Sequence, residues 1–496
     1  MRYTCAASLT AIVLSSWLTD VVVAADVVPE IEWHQLVMAG KPAGYLQVST
    51  LPREGGGHAV RSFTKLVVSR ANTSLVMEIL EETEEDENGK LRGFLVEQKM
   101  SQRTTTIRGR IRGAVIEVTT EVEGGKPRQT ELPFDTQSIG PHRAEAVARE
   151  RLKKAGDVYE FVTLVPQLQR CGKQTFRLGP EEETDLPGGR RKLRRLDVEQ
   201  DLVPTGPIKQ WVDAEFRLIK SAIPVLGMTI ETYRSTQEAI LAADYTSPPE
   251  IFVASSVPVR GKVHSDAPRI RYRLRWKSDA GGRERDVVRL PAAGGQELVR
   301  TEENGRVWVL DVRALNSPSG ATRPSPASDE LRPYLEPGTY VQSDDAKIKE
   351  LARNAVGEET DSWKAAVLLE KWVFLNVKEK NLHTAFATAS EVAERLEGDC
   401  TEHAVLLAAM ARAAGIPSRV VAGLVYVRGS FFGHLWTEVH CGEWIPLDAT
   451  TGKGRVGPDH IALAAASLSD SSLVDAFLGL IPLMGNLEIE VLAVEE

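Results

Sequence analysis

Cys400, His434 and Asp448 place a thiol, an imidazole and a carboxylate within one stretch, Glu397 to Thr450. Together they can perform acyl transfer. A thiolate attacks an amide carbonyl, an imidazole moves the proton to the leaving amine, and a carboxylate orients the imidazole. Each residue has a plainer reading. A free cysteine is often a small buried hydrophobe, a lone histidine on a strand is commonplace, and Asp448 could simply cap Thr450 or Thr451. Their joint placement favours one site, with Cys400 as nucleophile, His434 as base and Asp448 as its orienting group.

Cys400 follows Gly398-Asp399 and opens a predicted helix that stops at Gly415, with Pro417 just beyond. Unpaired N–H groups and the helix dipole favour a thiolate there. The polar neighbours Asp399, Thr401 and Glu402 argue against a core cysteine. His434 opens a strand to His440, with His434, Trp436, Glu438 and His440 on one face and Leu435, Thr437 and Val439 on the other. The Cys441-Gly442-Glu443 turn reverses the chain, so the strand Trp444 to Asp448 returns Asp448 toward His434. Upstream, Ser343 caps a helix carrying Ile348, Leu351, Ala352 and Ala355. A second helix runs from about Asp361 to Lys378, its Trp363 and Trp372 read as core, and a short one covers Ser390 to Leu396. Helices followed by the antiparallel strands from Val420 onward make an α+β arrangement. A zinc site could draw on Cys400 and His403, with their C-x-x-H spacing, plus His434, His440 and Cys441. Those residues need not converge, so no metal or cofactor is expected.

The runs GDCTEHAVLLAAMARAAGIPSRVVAG, GHLWTEV and WIPLDAT resemble the transglutaminase-like superfamily. The resemblance spans about Ser343 to Asp459 and is specific from Glu397 to Thr450. It implies a papain-like core of helix packed on antiparallel sheet, with Cys400, His434 and Asp448 as nucleophile, base and orienting carboxylate. No EF-hand-like loop is present, so the calcium dependence of animal transglutaminases is not carried over. No second oxyanion donor can be placed.

The remaining chain is ordinary in composition. Its 496 residues are 42% hydrophobic and 26% charged, enough for roughly three domains. A net charge of -9 argues against nucleic acid as a partner. Residues 1–25 resemble a secretory signal: Arg2, an apolar run from Ala6 to Leu18, and small residues at Val22 to Ala25. The mature chain is then expected to be secreted or periplasmic, with no spanning segment left. Cys5 leaves with the signal, and Cys171, Cys400 and Cys441 are too few for a disulfide scaffold, although a Cys171–Cys441 bond remains open. Residues 26–245 read as a β-rich domain with one helix, about His142 to Ala155. Residues 246–314 read as a small β-sandwich-like domain and 315–342 as a Pro/Ser-rich linker. The catalytic domain then covers 343–465, and 466–496 form an extension with a final strand. The acidic run Glu81 to Glu87 and the basic run Arg190 to Arg195 read as solvated hairpin segments.

The expected function is an exported cysteine enzyme acting on protein or peptide amides, cell-wall peptides among them, with water or an amine resolving the thioester. The competing expectation is a non-catalytic exported binding or scaffold protein that retains a degenerate domain.

Overall fold

The structure is a computed structural model that describes residues 30–53, 55–70, 73–203, 207–225, 227–251, 256–277, 290–315, 322–323, 328–378, 386–469, 480 and 483–496. The expected signal segment 1–25, Cys5 included, lies outside the described residues, as do 316–321 and 324–327 of the Pro/Ser-rich segment. No helix among the described residues is long and apolar enough to cross a membrane.

Among the described residues, the strands from Glu30–Met38 to Met228–Ser235 build one 14-stranded antiparallel sheet. Chain neighbours pair throughout, except that the run opens between Arg128–Pro133 and Val158–Val165. The first and last strands pair instead, giving a barrel-like sheet with one gap. The helix Pro141–Arg151 lies between the two edge strands in sequence. It ends four residues earlier than expected because Leu152 turns extended and packs with Tyr159, Leu178 and Leu196. The basic run lies in a hairpin arm beyond Gly188-Gly189, exposed from Arg190 to Lys192 as expected, whereas Leu193 is buried and Arg194 and Arg195 are half-buried. The acidic run is not wholly solvated. Glu82 and Glu85 are buried, and Arg53 and Arg61 neutralise Glu82.

The second β segment does not stand apart as a sandwich. Its strands Arg269–Trp276, Gln296–Glu302 and Val307–Arg313 are antiparallel, as expected. Their sheet continues through the C-terminal strand Leu487–Val494 and the short Val257–Arg260 to the strands Ser430–His440, Ser418–Val427 and His460–Ala466. The reason is a shared core, in which Tyr272, Leu274 and Trp308 pack with Phe431, Ile461 and Ile489.

The C-terminal region is α+β. Helices Ala346–Val356, Ser362–Asn376 and Ala389–Arg395 surround a central one, Cys400–Ala413. Asp345, not Ser343, caps the first of these, accepting from the Lys347 and Ile348 N–H groups. The central helix is buried from Thr401 to Arg412. That is why its apolar pattern runs all the way round rather than along one stripe. Each of its buried leucines contributes roughly 1.5–3 kcal/mol. Arg412 is buried at its end and donates to the carbonyls of Glu336, Ser418 and Ser467.

Across the adjacent strand pair, Arg419 and Glu438 form a buried ion pair. Arg419 Nε donates to Glu438 Oε2 at 2.8 Å, and Gly294 N–H donates to Oε1 at 2.7 Å. Glu438→Ala leaves the guanidinium without its acid, so the variant is expected to lose roughly 3–5 kcal/mol of stability. Urea unfolding of the two proteins measures this, and a loss below about 1 kcal/mol contradicts it.

Candidate active site

Cys400 occupies the first turn of the central helix. Asp399 is the N-cap, with extended backbone, and its Oδ1 accepts the Thr401 N–H at 2.8 Å. Glu402 Oε2 accepts the Asp399 N–H at 2.9 Å, completing a reciprocal capping box. The loop can enter this way only because residue 398 is glycine. Its φ is +138°, and a Cβ there would lie 2.3 Å from the Glu402 side chain.

His434 stands on the strand Ser430–His440, opposite Gly423. A Cβ at Gly423 would strike Ile461 O at 2.1 Å and the Trp436 ring at 2.7 Å, so glycine is required for the close packing beside the histidine. The body of the Cys400 helix packs on the other face of this strand, where Thr437 Oγ1 donates to Ala404 O at 2.8 Å. His434 therefore meets the helix at its N-terminal end, where it lies close enough to Cys400 to feel its charge. Its Nε2 lies 3.0 Å from Asp448 Oδ2, which leaves Nδ1 for the thiol. All three sequence-predicted residues are thus brought together.

Asp448 does both things that could be expected of it. Oδ2 faces His434, while Oδ1 accepts from the Thr450 N–H at 2.9 Å and the Thr450 hydroxyl at 2.7 Å. The structure adds His460, which sequence reasoning missed. Its Nε2 approaches Asp448 Oδ2 at 3.4 Å, and its Nδ1 lies 2.8 Å from Asp459 Oδ1. The Asp459-His460 pair directly before an apolar strand was the available signal. Trp436 packs edge-on against His460 and stacks on His434, walling the carboxylate from water. Buried Glu370 accepts the Gly454 N–H at 2.8 Å and so fixes the loop leaving Asp448.

The candidate zinc set does not form. His403 Nδ1 is bonded to Asp399 O at 2.6 Å, His440 packs edge-on against Trp444, and Cys441 is buried in the helical core. Cys171, Cys400 and Cys441 are all free thiols, so the Cys171–Cys441 bond is absent. Ligand atoms of His434, Asp448 and His460 do lie within 4.8 Å of one another, a spacing that could hold a metal ion. Here both imidazoles instead direct Nε2 at one Asp448 oxygen.

The electrostatics favour a charged His434 imidazole beside the Asp448 carboxylate. Burial alone would lower the His434 pKa, but the Cys400 charge and the Asp448 hydrogen bond outweigh it and push the group up to about 10. Burial would raise Asp448, yet the hydrogen bonds of His434 and His460 hold it well below the usual carboxylate range. The stabilisation from a raised imidazole is complete below the unfolded value of about 6.5 and disappears as pH rises through about 10. That from Asp448 is present above its ordinary value and fades as pH falls through its depressed one. In nitrogen-15 histidine NMR, His434 is expected to titrate near 10; a midpoint near the ordinary imidazole value of about 6.5 contradicts this.

Residues 349–449 match the transglutaminase-like superfamily. No curated protein sequence matches the chain. Among solved structures, a proposed cysteine protease from Cytophaga hutchinsonii is similar at 16% identity and a TM-score of 0.30, over 45% of this chain and 83% of that one. A β-barrel-like protein from Brucella abortus, of a domain of unknown function, is similar at 12% identity and a TM-score of 0.32, over 42% and 96%. A proposed protease from Parabacteroides distasonis is similar at 12% identity and a TM-score of 0.22, over 82% and 70%.

Proposed function

From a transglutaminase-like C-terminal region in which Cys400, His434 and Asp448 converge, we propose an exported thiol enzyme that acts on amide or peptide bonds. The observation that carries the reading is His434, held by Asp448 at 3.0 Å on one side and close enough to Cys400 on the other to feel its charge. The Cys400 thiolate attacks the carbonyl carbon. An S–C bond forms and the C=O π pair moves to oxygen. Collapse of that intermediate breaks the C–N bond, and the amine leaves with the proton from the His434 imidazolium. Water or a second amine, deprotonated by His434, then attacks the thioester and releases the thiolate. Asp448 keeps the ring in the tautomer and orientation both half-reactions need. The substrates are proteins or peptides, cell-wall peptides among them.

The test is covalent capture. A peptidyl chloromethyl ketone is expected to modify Cys400 ahead of Cys171 and Cys441, as read by peptide mass spectrometry. Parallel assays of peptide hydrolysis and of amine incorporation into casein then decide which acceptor is used. Equal labelling of Cys400 and Cys171, with neither activity present, favours the scaffold reading.

A further inference from the structure

Arg70 belongs to the N-terminal sheet, 330 residues from Cys400 in the chain, yet its guanidinium lies at the candidate nucleophile. Nη1 is 2.5 Å from Asp399 Oδ2, and Nη2 is 3.9 Å from Cys400 Sγ. Both side chains of the ion pair are largely buried, at 18% and 8% exposure. The position is held from both sides. Ser69, next to Arg70, is clamped by Pro249–Ile251: its N–H donates to Pro249 O at 2.7 Å and its O accepts from Ile251 N–H at 2.9 Å. The N-terminal sheet is also docked on the catalytic helices elsewhere, through Ser101 to Glu391, Arg103 to Glu394 and Arg128 to Asp344.

The charge at this helix start requires such a group. Asp399 caps the helix through its carboxylate, which places negative charge beside Cys400, while burial and the neighbouring Asp399 push the capping Glu402 carboxyl up to about 8. A thiolate is disfavoured there unless cations offset it. His434 supplies one from the sheet side. The burial of Arg70 works against its own charge, but Asp399, Cys400 and Glu402 more than compensate, so it stays protonated. Asp399 is forked, with Oδ1 on the helix N–H and Oδ2 on Arg70, so the cation cannot turn away from the sulfur without leaving a buried carboxylate oxygen exposed to nothing.

We propose that Arg70 is a catalytic residue contributed by the N-terminal β region, which holds the Cys400 sulfur as a thiolate and makes the active site a two-domain structure. The proposal rests on Cys400 being the nucleophile.

The experiment is the rate of Cys400 alkylation by iodoacetamide, from about pH 4 to about pH 9, in the full chain. Peptide mass spectrometry separates Cys400 from Cys171 and Cys441. The variants are Arg70→Gln, Arg70→Lys and Arg128→Ala, each checked by thermal unfolding. In Arg70→Gln the acid limb of the profile is expected to move up by about one pH unit, an approximately tenfold slower alkylation at acidic pH. Arg70→Lys restores part of the shift, and Arg128→Ala, which loosens the same docking without touching the sulfur, keeps the wild-type profile. An unchanged or faster Arg70→Gln profile overturns the proposal, since the guanidinium then only shields the sulfur. An equal shift in Arg128→Ala also overturns it, because docking and not the guanidinium is then responsible. A wild-type Cys400 that alkylates like an ordinary thiol, with no reactivity below neutral pH, instead removes the nucleophile reading itself.

Discussion

Cys400→Ala is expected to abolish acyl transfer while leaving the fold intact. The size of the loss follows from the chemistry. The other described thiols pack elsewhere, Cys171 in the N-terminal sheet and Cys441 in the helical core, and removing an enzyme's nucleophile costs about 10⁶-fold in kcat, below any ordinary assay background. The fold survives because nothing structural depends on the sulfur. The helix is capped by Asp399 and Glu402, and its core contacts come from Ala404 onward. The variant has a second readout. The Cys400 charge is the leading influence raising His434, so its removal is expected to bring the imidazole pKa down from about 10. Activity assays and histidine NMR on one sample therefore separate two outcomes. Retained activity removes the thiol mechanism, whatever the imidazole does. Lost activity with an unmoved imidazole pKa breaks the ion pair but not the nucleophile.

Why these three residues were visible in the sequence, and others were not, has a physical basis. Cys400, His434 and Asp448 are placed by local devices: a helix start marked by Gly398 and Asp399, and two strands joined by the tight Cys441–Glu443 turn. Such devices operate over a few residues and leave a readable pattern. His460 reaches Asp448 because its strand pairs with Ser418–Val427, out of sequence order. Arg70 depends on how the N-terminal sheet docks on the C-terminal helices, which no local pattern records. The same distinction explains the second β segment. Its alternation at Ile270, Tyr272 and Leu274 was legible, but its union with the C-terminal sheet rests on pairing with Leu487–Val494, at the far end of the chain, which no local pattern records. The Glu81 to Glu87 run misled for a related reason, since the arginines that bury Glu82 come from the neighbouring strand region.

Asp448→Asn is expected to reduce kcat by about 10⁴-fold with little change in KM. In the native protein Oδ2 accepts from His434 Nε2, which keeps Nδ1 available to exchange a proton with Cys400. The asparagine must still satisfy the Thr450 N–H and hydroxyl, and only its carbonyl oxygen can accept from them. Its NH₂ is then directed at His434 and His460. A neutral His434 facing a donor must carry its proton on Nδ1, the wrong tautomer for receiving the thiol proton. The negative charge that stabilises both imidazoliums is lost as well, so the alkaline titration of His434 is expected to fall below about 10. His460→Gln removes only one of the two imidazoles on Asp448 and leaves the His434 contact in place, so its loss in kcat is expected to be about tenfold. Comparing kcat and the His434 midpoint across the two variants checks the arrangement. If Asp448→Asn and His460→Gln lose activity equally, with the His434 midpoint unmoved in both, Asp448 acts by shaping the loop to Thr450 and not by holding the imidazole.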